Sequence, residues 1–213
     1  KDHIYRVVSV FKTAEGIDYE SGVPFPTGPA LRNEYPRLKN VASILSVGGS
    51  GQVAIPDDQQ DSRTEKRFEE ENGVVYAEPE FFDIFDFKWL AGDKLNALKD
   101  PNTALLSRSL ADKYFGNWQN AIGRSVILDN SITLKITGIL NDMPANTDFT
   151  LKLVISYSTL KNTGINGVLS NWAATFAQHY CFIVLPDQLS ESRFNKDLES
   201  FVKKVLLCLQ ATR

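Results

Sequence analysis

The stretch from residue 75 to residue 144 constrains the fold most, because glycine, proline and apolar residues occupy its conspicuous positions. Pro79 begins a predicted helix, and Gly116 ends a second one. Gly138 predicts a weakened or bulged strand. These residue types serve backbone geometry and packing, and none of them is a nucleophile beside a base. The stretch therefore indicates structure rather than chemistry.

Length and charge narrow the class of protein. The chain has 213 residues, of which 43% are hydrophobic, enough to bury the core of one large domain or two small ones. A formal net charge of −3 gives no field for binding nucleic acid phosphates, so no nucleic acid partner is expected. No apolar run is long enough to span a bilayer. Because a strand pattern begins at Ile4, almost at the first residue, we interpret the chain as an excised piece of a longer protein.

The N-terminal third predicts short strands and one helix. A run rich in β-branched and aromatic residues predicts a strand over 4–11. Thr27 predicts a helix cap, and Pro36 ends that helix. Asn72-Gly73 predicts a tight turn. Further strands are predicted over 39–47, 52–55, 64–71 and 74–77.

The rest of the chain predicts mixed structure. Ser107 caps a predicted helix that stops at Gly116, and Ala91-Gly92-Asp93 predicts a turn. Apolar residues recur at helical spacing over 190–205 and predict the clearest helix of the chain. This stripe comprises Phe194, Leu198, Phe201, Val202 and Val205. Strands are predicted over 103–106, 149–156 and 180–185, and a hairpin over 125–128 and 132–140.

These elements predict an α+β fold with two subdomains. The outer unit is discontinuous and of βαβ type, and comprises residues 1–75 and 149–213. The second unit is a mixed α/β insertion that comprises residues 76–148. Such an arrangement is physically reasonable, because insertions are tolerated where the two ends of the inserted segment lie close together.

Histidine and cysteine give no pattern of a metal or catalytic site. His3 and His179 have no second ligand at metal spacing, and we interpret both as ordinary strand-edge residues. Cys181 lies in an apolar run and is expected to be a buried free thiol. A disulfide between Cys181 and Cys208 stays open.

Two loops resemble functional motifs and fail on details. Gly48-Gly49-Ser50-Gly51 lacks the last glycine and the helix of a nucleophile elbow, so we interpret it as a flexible hairpin turn. Asp57, Asp58 and Asp61 lack the glycine and the closing glutamate of a calcium loop, which favours a solvated loop. No P-loop pattern is present, so nucleotide hydrolysis by this chain is not expected.

Two side-chain clusters have both a structural and a functional interpretation. Glu69, Glu70 and Glu71 could include paired carboxylates, but we assign them to the surface. Five aromatic residues could line an apolar pocket, although their spacing favours the core. They are Phe81, Phe82, Phe85, Phe87 and Trp89.

The order of motifs resembles one known family. The segments are VYAEPEFFDIF at 75–85, WLAGD at 89–93, TALLSRSLADKYFG at 103–116, AIGRSV at 121–126 and ITGILNDMP at 136–144. Together they are similar to the MacB-like periplasmic core domain of FtsX/MacB-type ABC transporter permeases. The segment from Asp2 to Val7 also resembles the residues that follow the first transmembrane helix in long, Bacteroidetes-like members. The tail over 206–213 departs from the family pattern.

The resemblance implies a location and a role. The outer unit would be the subdomain called Porter, and the insertion would be the one called Sabre. The domain would lie on the periplasmic side of the bacterial inner membrane, in a full-length integral membrane protein. It would be non-catalytic and would couple cytosolic ATP hydrolysis to periplasmic work or efflux. Implied partners are its own transmembrane helices, a cytosolic ATPase, a second copy of the permease, and a periplasmic adaptor or substrate protein.

Two other classes of function stay open. A ligand-binding extracytoplasmic sensory domain would need a pocket, for which Phe81, Phe85 and Trp89 are the candidates. An enzyme would need a nucleophile, a base and an orienting group, and the sequence assembles no such set. We assign no catalytic, cofactor-binding or metal-binding residue. The transported substrate and the oligomeric state are not specified by the sequence.

Overall fold

A computed structural model describes residues 3–49, 51–56, 66–144 and 146–211. Within these ranges the chain has more strand than helix, with thirteen strands, five α-helices and two 3-10 helices. The strands are β1 Ile4–Val7, β2 Ser9–Thr13, β3 Gly16–Glu20, β4 Asn40–Ser46, β5 Gly51–Ile55, β6 Lys66–Glu70, β7 Val74–Ala77, β8 Trp89–Gly92, β9 Thr103–Ser107, β10 Ser125–Leu128, β11 Ile132–Leu140, β12 Leu153–Ser156 and β13 His179–Val184. The helices are α1 Thr27–Glu34, α2 Phe81–Ile84, α3 Arg108–Phe115, α4 Asn166–Leu169 and α5 Glu191–Ala211, and the 3-10 helices are Trp118–Asn120 and Tyr157–Asn162.

Eleven strands of the described residues form one mixed sheet. Its order is β1, β13, β4, β7, β12, β9, β11, β10, β5, β6, and β8 pairs with β11 beside this path. The pairs β7–β12 and β9–β11 are parallel, and their connections carry the helices and hairpins that a parallel crossover requires. The remaining neighbours in the sheet are antiparallel. This large mixed sheet with few helices confirms the predicted α+β class.

Local signals in the middle of the chain are confirmed. The Ser107 hydroxyl accepts a hydrogen bond from the Leu110 N–H at 3.3 Å and caps α3. Gly116 ends that helix with a φ of 76°, which glycine adopts without steric cost. The predicted hairpin forms with Val126 opposite Leu134. Short-range rules succeed here because each signal acts within one turn of backbone.

Three local predictions are wrong. The predicted strand over 4–11 breaks at Val8, because β1 pairs with β13 whereas β2 leaves the large sheet and pairs only with β3. Thr27 lies inside α1, whose N-terminal cap is Pro26, and no side chain caps the helix. Ala91 and Gly92 belong to β8 rather than to a turn. A Cβ on Gly92 would lie 2.5 Å from the Thr137 carbonyl oxygen, so this glycine permits close strand packing.

The bulge predicted at Gly138 is confirmed. The register between β9 and β11 shifts between Ile136 and Gly138. A Cβ at Gly138 would lie 2.9 Å from both Leu105 Cδ2 and Trp89 Cζ3. The bulge therefore lets β8 and β9 approach the two edges of β11 closely.

Alternation along β13 separates two cores. His179, Cys181 and Ile183 are buried, and Cys181 and Ile183 face the core that α1 and α5 cover. Phe182 faces the aromatic core around α2 on the other side of the sheet. Of the apolar stripe predicted on α5, Phe194 and Phe201 are buried, but Val202 is exposed. The face of α5 that packs on the sheet is therefore narrower than the spacing of apolar residues indicates.

The large sheet is continuous across the predicted boundaries between the two units. Strands β5 and β6 lie in the predicted outer unit, yet β5 pairs with β10 of the predicted insertion. The sheet also joins β9 of the insertion to β12 of the outer unit. The boundaries 1–75, 76–148 and 149–213 stay a prediction.

Candidate functional site

An ion pair between Arg32 and Glu78 joins α1 to the segment that leads from β7 into α2. The guanidinium donates from Nη1 to Oε2 at 3.0 Å and from Nη2 to Oε1 at 2.7 Å. Nη1 also donates to the Val41 carbonyl at 2.9 Å, and the Ser43 N–H donates to Oε2 at 2.7 Å. The hydrogen bonds to Glu78 raise the pKa of Arg32. One carboxylate therefore connects α1, the interior strand β4 and the segment before α2.

Helix α1 approaches β4 closely because residue 28 is glycine. A Cβ on Gly28 would lie 2.4 Å from the Ser43 hydroxyl oxygen. Ser43 is fully buried, so its hydroxyl group lies in the interior between α1 and β4. The contact between α1 and β4 therefore includes a buried hydroxyl group and is not purely apolar.

His179 is completely buried beside the same strand. Its Nδ1 lies 2.8 Å from the Val23 carbonyl oxygen, and its Nε2 lies 2.8 Å from the Tyr157 hydroxyl. A carbonyl only accepts, so Nδ1 carries the proton in the neutral ring and Nε2 accepts from the tyrosine. Burial lowers the pKa of His179, which favours this neutral form. The ring also stacks on Phe25 at 4.3 Å between centroids.

Five residues make up what we call the buried polar cluster: Arg32, Ser43, Glu78, Tyr157 and His179. Burial raises the pKa of Tyr157, and the negative charge of Glu78 raises it further. The cluster draws its members from α1, β4, the β7–α2 junction, a 3-10 helix and β13. Its hydrogen bonds span up to 156 positions in sequence, so it fixes the relative positions of distant segments.

Cys181 lies opposite Ser43 in the β13–β4 ladder. The thiol is free and buried, as predicted, and burial raises its pKa to about 12. A thiol with so high a pKa is protonated at neutral pH and is a poor nucleophile. Both nitrogens of the adjacent His179 are already hydrogen-bonded. The arrangement is therefore suited to holding segments together and poorly suited to covalent catalysis.

Glu70 corrects the assignment of Glu69, Glu70 and Glu71 to the surface. Glu69 and Glu71 are exposed, but Glu70 is only 4% exposed. Its Oε1 accepts from Lys113 Nζ at 2.6 Å and from the Tyr114 hydroxyl at 3.0 Å. Three consecutive glutamates look alike in sequence, but strand alternation turns the middle one toward α3. This carboxylate ties β6 to α3.

The aromatic residues of α2 and β8 form core, as their spacing predicted. Phe81 and Phe82 are buried, and the Phe81 ring lies 5.0 Å from Phe85 and 5.5 Å from Phe87 between centroids. Phe82 lies 5.3 Å from Trp89 in an edge contact. Phe149 and Phe182 complete the cluster. The side chains proposed to line a pocket thus contact one another.

The remaining predicted candidates do not converge. His3 lies on the surface near Asp187, whereas His179 is an interior residue and not the strand-edge residue that we predicted. Gly49 adopts a φ of 94°, but the flanking strands β4 and β5 are not neighbours in the sheet, so the predicted hairpin turn is wrong. Asp57, Asp58 and Asp61 lie outside the described residues. Within the described ranges, no group of three or more His, Cys, Asp or Glu side chains is placed to hold a metal ion.

Sequence reasoning missed Arg32, Glu78 and Tyr157. Arg32 lies in a helix with little apolar periodicity, and Glu78 follows four buried residues of β7. A charged residue directly after a buried strand and before Pro79 was the available signal. Its partner lies 46 positions away in sequence, a distance that no local pattern covers.

The fold and the buried polar cluster define an α+β domain whose interior polar side chains bind one another across distant segments. The family of MacB-like periplasmic core domains matches residues 2–201, and the chain belongs to this family. It is a MacB-like periplasmic domain of an ABC transporter permease. In the described part of the chain, no helix combines the length and apolar character that crossing a membrane requires.

Solved structures share the fold. A domain described as that of a permease from Porphyromonas gingivalis superposes with a TM-score of 0.73 at 23% identity, covering 95% of this chain and 84% of that one. The periplasmic region of MacB from Actinobacillus actinomycetemcomitans superposes with a TM-score of 0.61 at 17% identity, covering 86% and 74%. No curated protein matches the sequence.

Proposed function

We propose that this domain is a non-catalytic coupling element, which transmits ATP-driven movement of its permease to the periplasmic side of the inner membrane. The observation that carries this proposal is the continuity of the sheet. Neighbouring strands are hydrogen-bonded to one another across the whole sheet, from residues 4–7 at one edge to residues 66–70 at the other. A force applied at one edge reaches the other through backbone hydrogen bonds and packed side chains.

The buried polar cluster supports the same role. Arg32 and Glu78 connect the layer that contains α1 to the aromatic core around α2, on the other side of the sheet. Lys113 and Tyr114 connect α3 to β6 near the opposite edge of the sheet. Charge-assisted hydrogen bonds have narrow geometry, so they resist shear between layers better than apolar contacts do.

The partners of this role are the transmembrane helices of the same permease, a cytosolic ATPase and a second copy of the permease. A periplasmic adaptor or substrate protein would receive the movement. The proposal implies that no periplasmic turnover depends on any single side chain of the domain. A hydrolase activity that one substitution abolishes would contradict it.

A tethering experiment tests the coupling. Leu95 is exposed, so Leu95→Cys in a Cys208→Ser background offers a surface thiol, while Cys181 is buried. In the intact permease with its ATPase, a bis-maleimide with a cleavable disulfide would join neighbouring domains. We expect ATP hydrolysis to fall severalfold on tethering and to recover on reduction, because a tether that blocks the movement of the domain also blocks the conformational step coupled to it. An unchanged rate in tethered molecules would contradict coupling.

A further inference from the structure

Asn-Gly dipeptides occur twice in the chain, at 72–73 and at 166–167. In such a dipeptide the backbone nitrogen of the glycine can attack the side-chain amide of the asparagine, because glycine has no Cβ to hinder the approach. Valine follows the glycine in both places. The residues after the asparagine are therefore the same, so the fold decides which of the two dipeptides reacts.

The fold holds the first dipeptide, Asn72-Gly73, in place. Gly73 is buried, and its φ of 85° lies in the left-handed region that favours glycine. Its carbonyl oxygen accepts hydrogen bonds from the N–H groups of Lys152 and Leu153 at 2.9 and 3.0 Å. A Cβ on Gly73 would lie 2.8 Å from Lys152 Cγ. Packing therefore accounts for the glycine at this position and opposes the backbone rotation that ring closure requires.

The second dipeptide, Asn166-Gly167, lies in the short helix α4 and is not held in this way. Both residues are exposed, and a Cβ on Gly167 would have nothing within 4 Å. No described residue accepts a hydrogen bond from the Gly167 N–H. The N–H groups of Val168 and Leu169 donate to the Ile165 carbonyl at 2.8 and 3.1 Å, and neither bond involves the peptide group between the asparagine and the glycine. A helix this short is marginal on its own, so this peptide group can rotate at small cost.

We propose that Asn166 is a site of spontaneous deamidation, with water as the only co-reactant. The Gly167 nitrogen loses its proton to water and bonds to Asn166 Cγ, while the Cγ–Nδ2 bond breaks and the amide nitrogen leaves as ammonia with a proton from water. Water then opens the succinimide ring. Cleavage of the bond from the Gly167 nitrogen to Cγ gives aspartate, and cleavage of its bond to the main-chain carbonyl carbon gives isoaspartate. Both products carry a new negative charge, and no atom is oxidised or reduced.

Isoaspartate at position 166 changes the path of the backbone through α4. It adds one carbon atom to the main chain between Ile165 and Val168, which are partly buried and pack against the hydrophobic core. Because protein interiors are close-packed, the added atom displaces at least one of these side chains. This inference goes beyond the coupling role and does not depend on it.

Ageing of the purified permease at mildly alkaline pH tests the proposal. Peptide mass spectrometry measures the gain in mass when an NH group is exchanged for oxygen, and electron-transfer fragmentation separates isoaspartate from aspartate. We expect the native protein to deamidate severalfold faster at Asn166 than at Asn72, and the two rates to converge when the protein is aged in urea. A native rate at Asn166 no higher than at Asn72, or the same ratio of rates in urea, would overturn the proposal.

The Gly167→Ala variant provides the second arm. Alanine places a Cβ beside the attacking nitrogen, and the fold has room for it. We expect deamidation at Asn166 to slow severalfold in this variant, while the rate at Asn72 stays unchanged. Urea unfolding midpoints verify that the variant folds. An unchanged rate at Asn166 would mean that its amide is lost without ring closure, and this result would overturn the proposal.

Discussion

The Glu78→Gln substitution tests the buried polar cluster most sharply. The carboxylate accepts from three donors, two on the Arg32 guanidinium and one on the Ser43 backbone. Glutamine keeps the shape of the side chain but replaces one oxygen by an NH₂ group, which faces donors. One charge-assisted hydrogen bond contributes about 1.5–3 kcal/mol, and an unpaired interior group adds a further cost.

The expected magnitude follows from the exposure of the two side chains. Glu78 is 13% exposed, but Arg32 is 35% exposed, so water screens part of the charge that the substitution leaves unpaired. We therefore expect a loss of about 2–3 kcal/mol, below the 3–5 kcal/mol typical of a fully buried pair. For a domain of this length the melting temperature should fall by roughly 4–12 °C.

Urea unfolding followed by tryptophan fluorescence measures this loss. Lys39→Gln is the matched control, because Lys39 and Asp187 form an exposed pair at 3.5 Å. That pair should contribute less than about 0.5 kcal/mol. A double-mutant cycle with Arg32→Gln should give a coupling energy above about 1 kcal/mol. The reasoning is refuted if Glu78→Gln destabilises the protein no more than Lys39→Gln does.

Three further predictions concern packing, pH and thiol chemistry. Gly138→Ala should cost about 1–3 kcal/mol, because its Cβ would meet Leu105 and Trp89. Gly167→Ala is the control, because a Cβ there has nothing within 4 Å and alanine favours helix α4, so it should be neutral or slightly stabilising. Urea unfolding midpoints compare the two variants. Burial lowers the pKa of His179, so as the pH falls the unfolded chain binds a proton on this histidine before the folded chain does. The free energy of unfolding should therefore decrease as the pH drops below about 6.5, and His179→Gln should make it less dependent on pH. An equal slope in both proteins would argue against a buried neutral ring. In a Cys208→Ser background, Cys181 should react with a disulfide reagent at pH 8 only after unfolding, and rapid reaction of the native protein would contradict its burial.

The fold was predictable in the middle of the chain, where three local signals agree with the tertiary structure. The Ser107 cap, the Gly116 stop and the β10–β11 hairpin each act within a few residues, and each is confirmed. The break between β1 and β2 at Val8 was not predictable, because both strands have the composition of a strand and differ only in the strand with which they pair. Residue type alone does not encode which strand will be the neighbour.

The candidate site was less predictable than the fold. Glu70 is buried and Glu71 is exposed, although both belong to the same acidic run. The difference depends on strand phase and on a lysine 43 positions away. His179 likewise needs Tyr157 and Val23, which the chain brings together only in the folded state. Long-range hydrogen bonds of this kind leave no periodicity in the sequence.

Spin-label distances in the intact permease test the central claim most directly. One pair, at Leu95 in two copies, reports movement between domains, and a second pair, at Leu95 and Glu199 of one chain, reports deformation within a domain. Both positions are exposed. A rigid coupling element predicts that ATP changes the first distance by about 5 Å or more and the second by less than about 2 Å. An unchanged first distance, or a change confined to the second, would contradict the account.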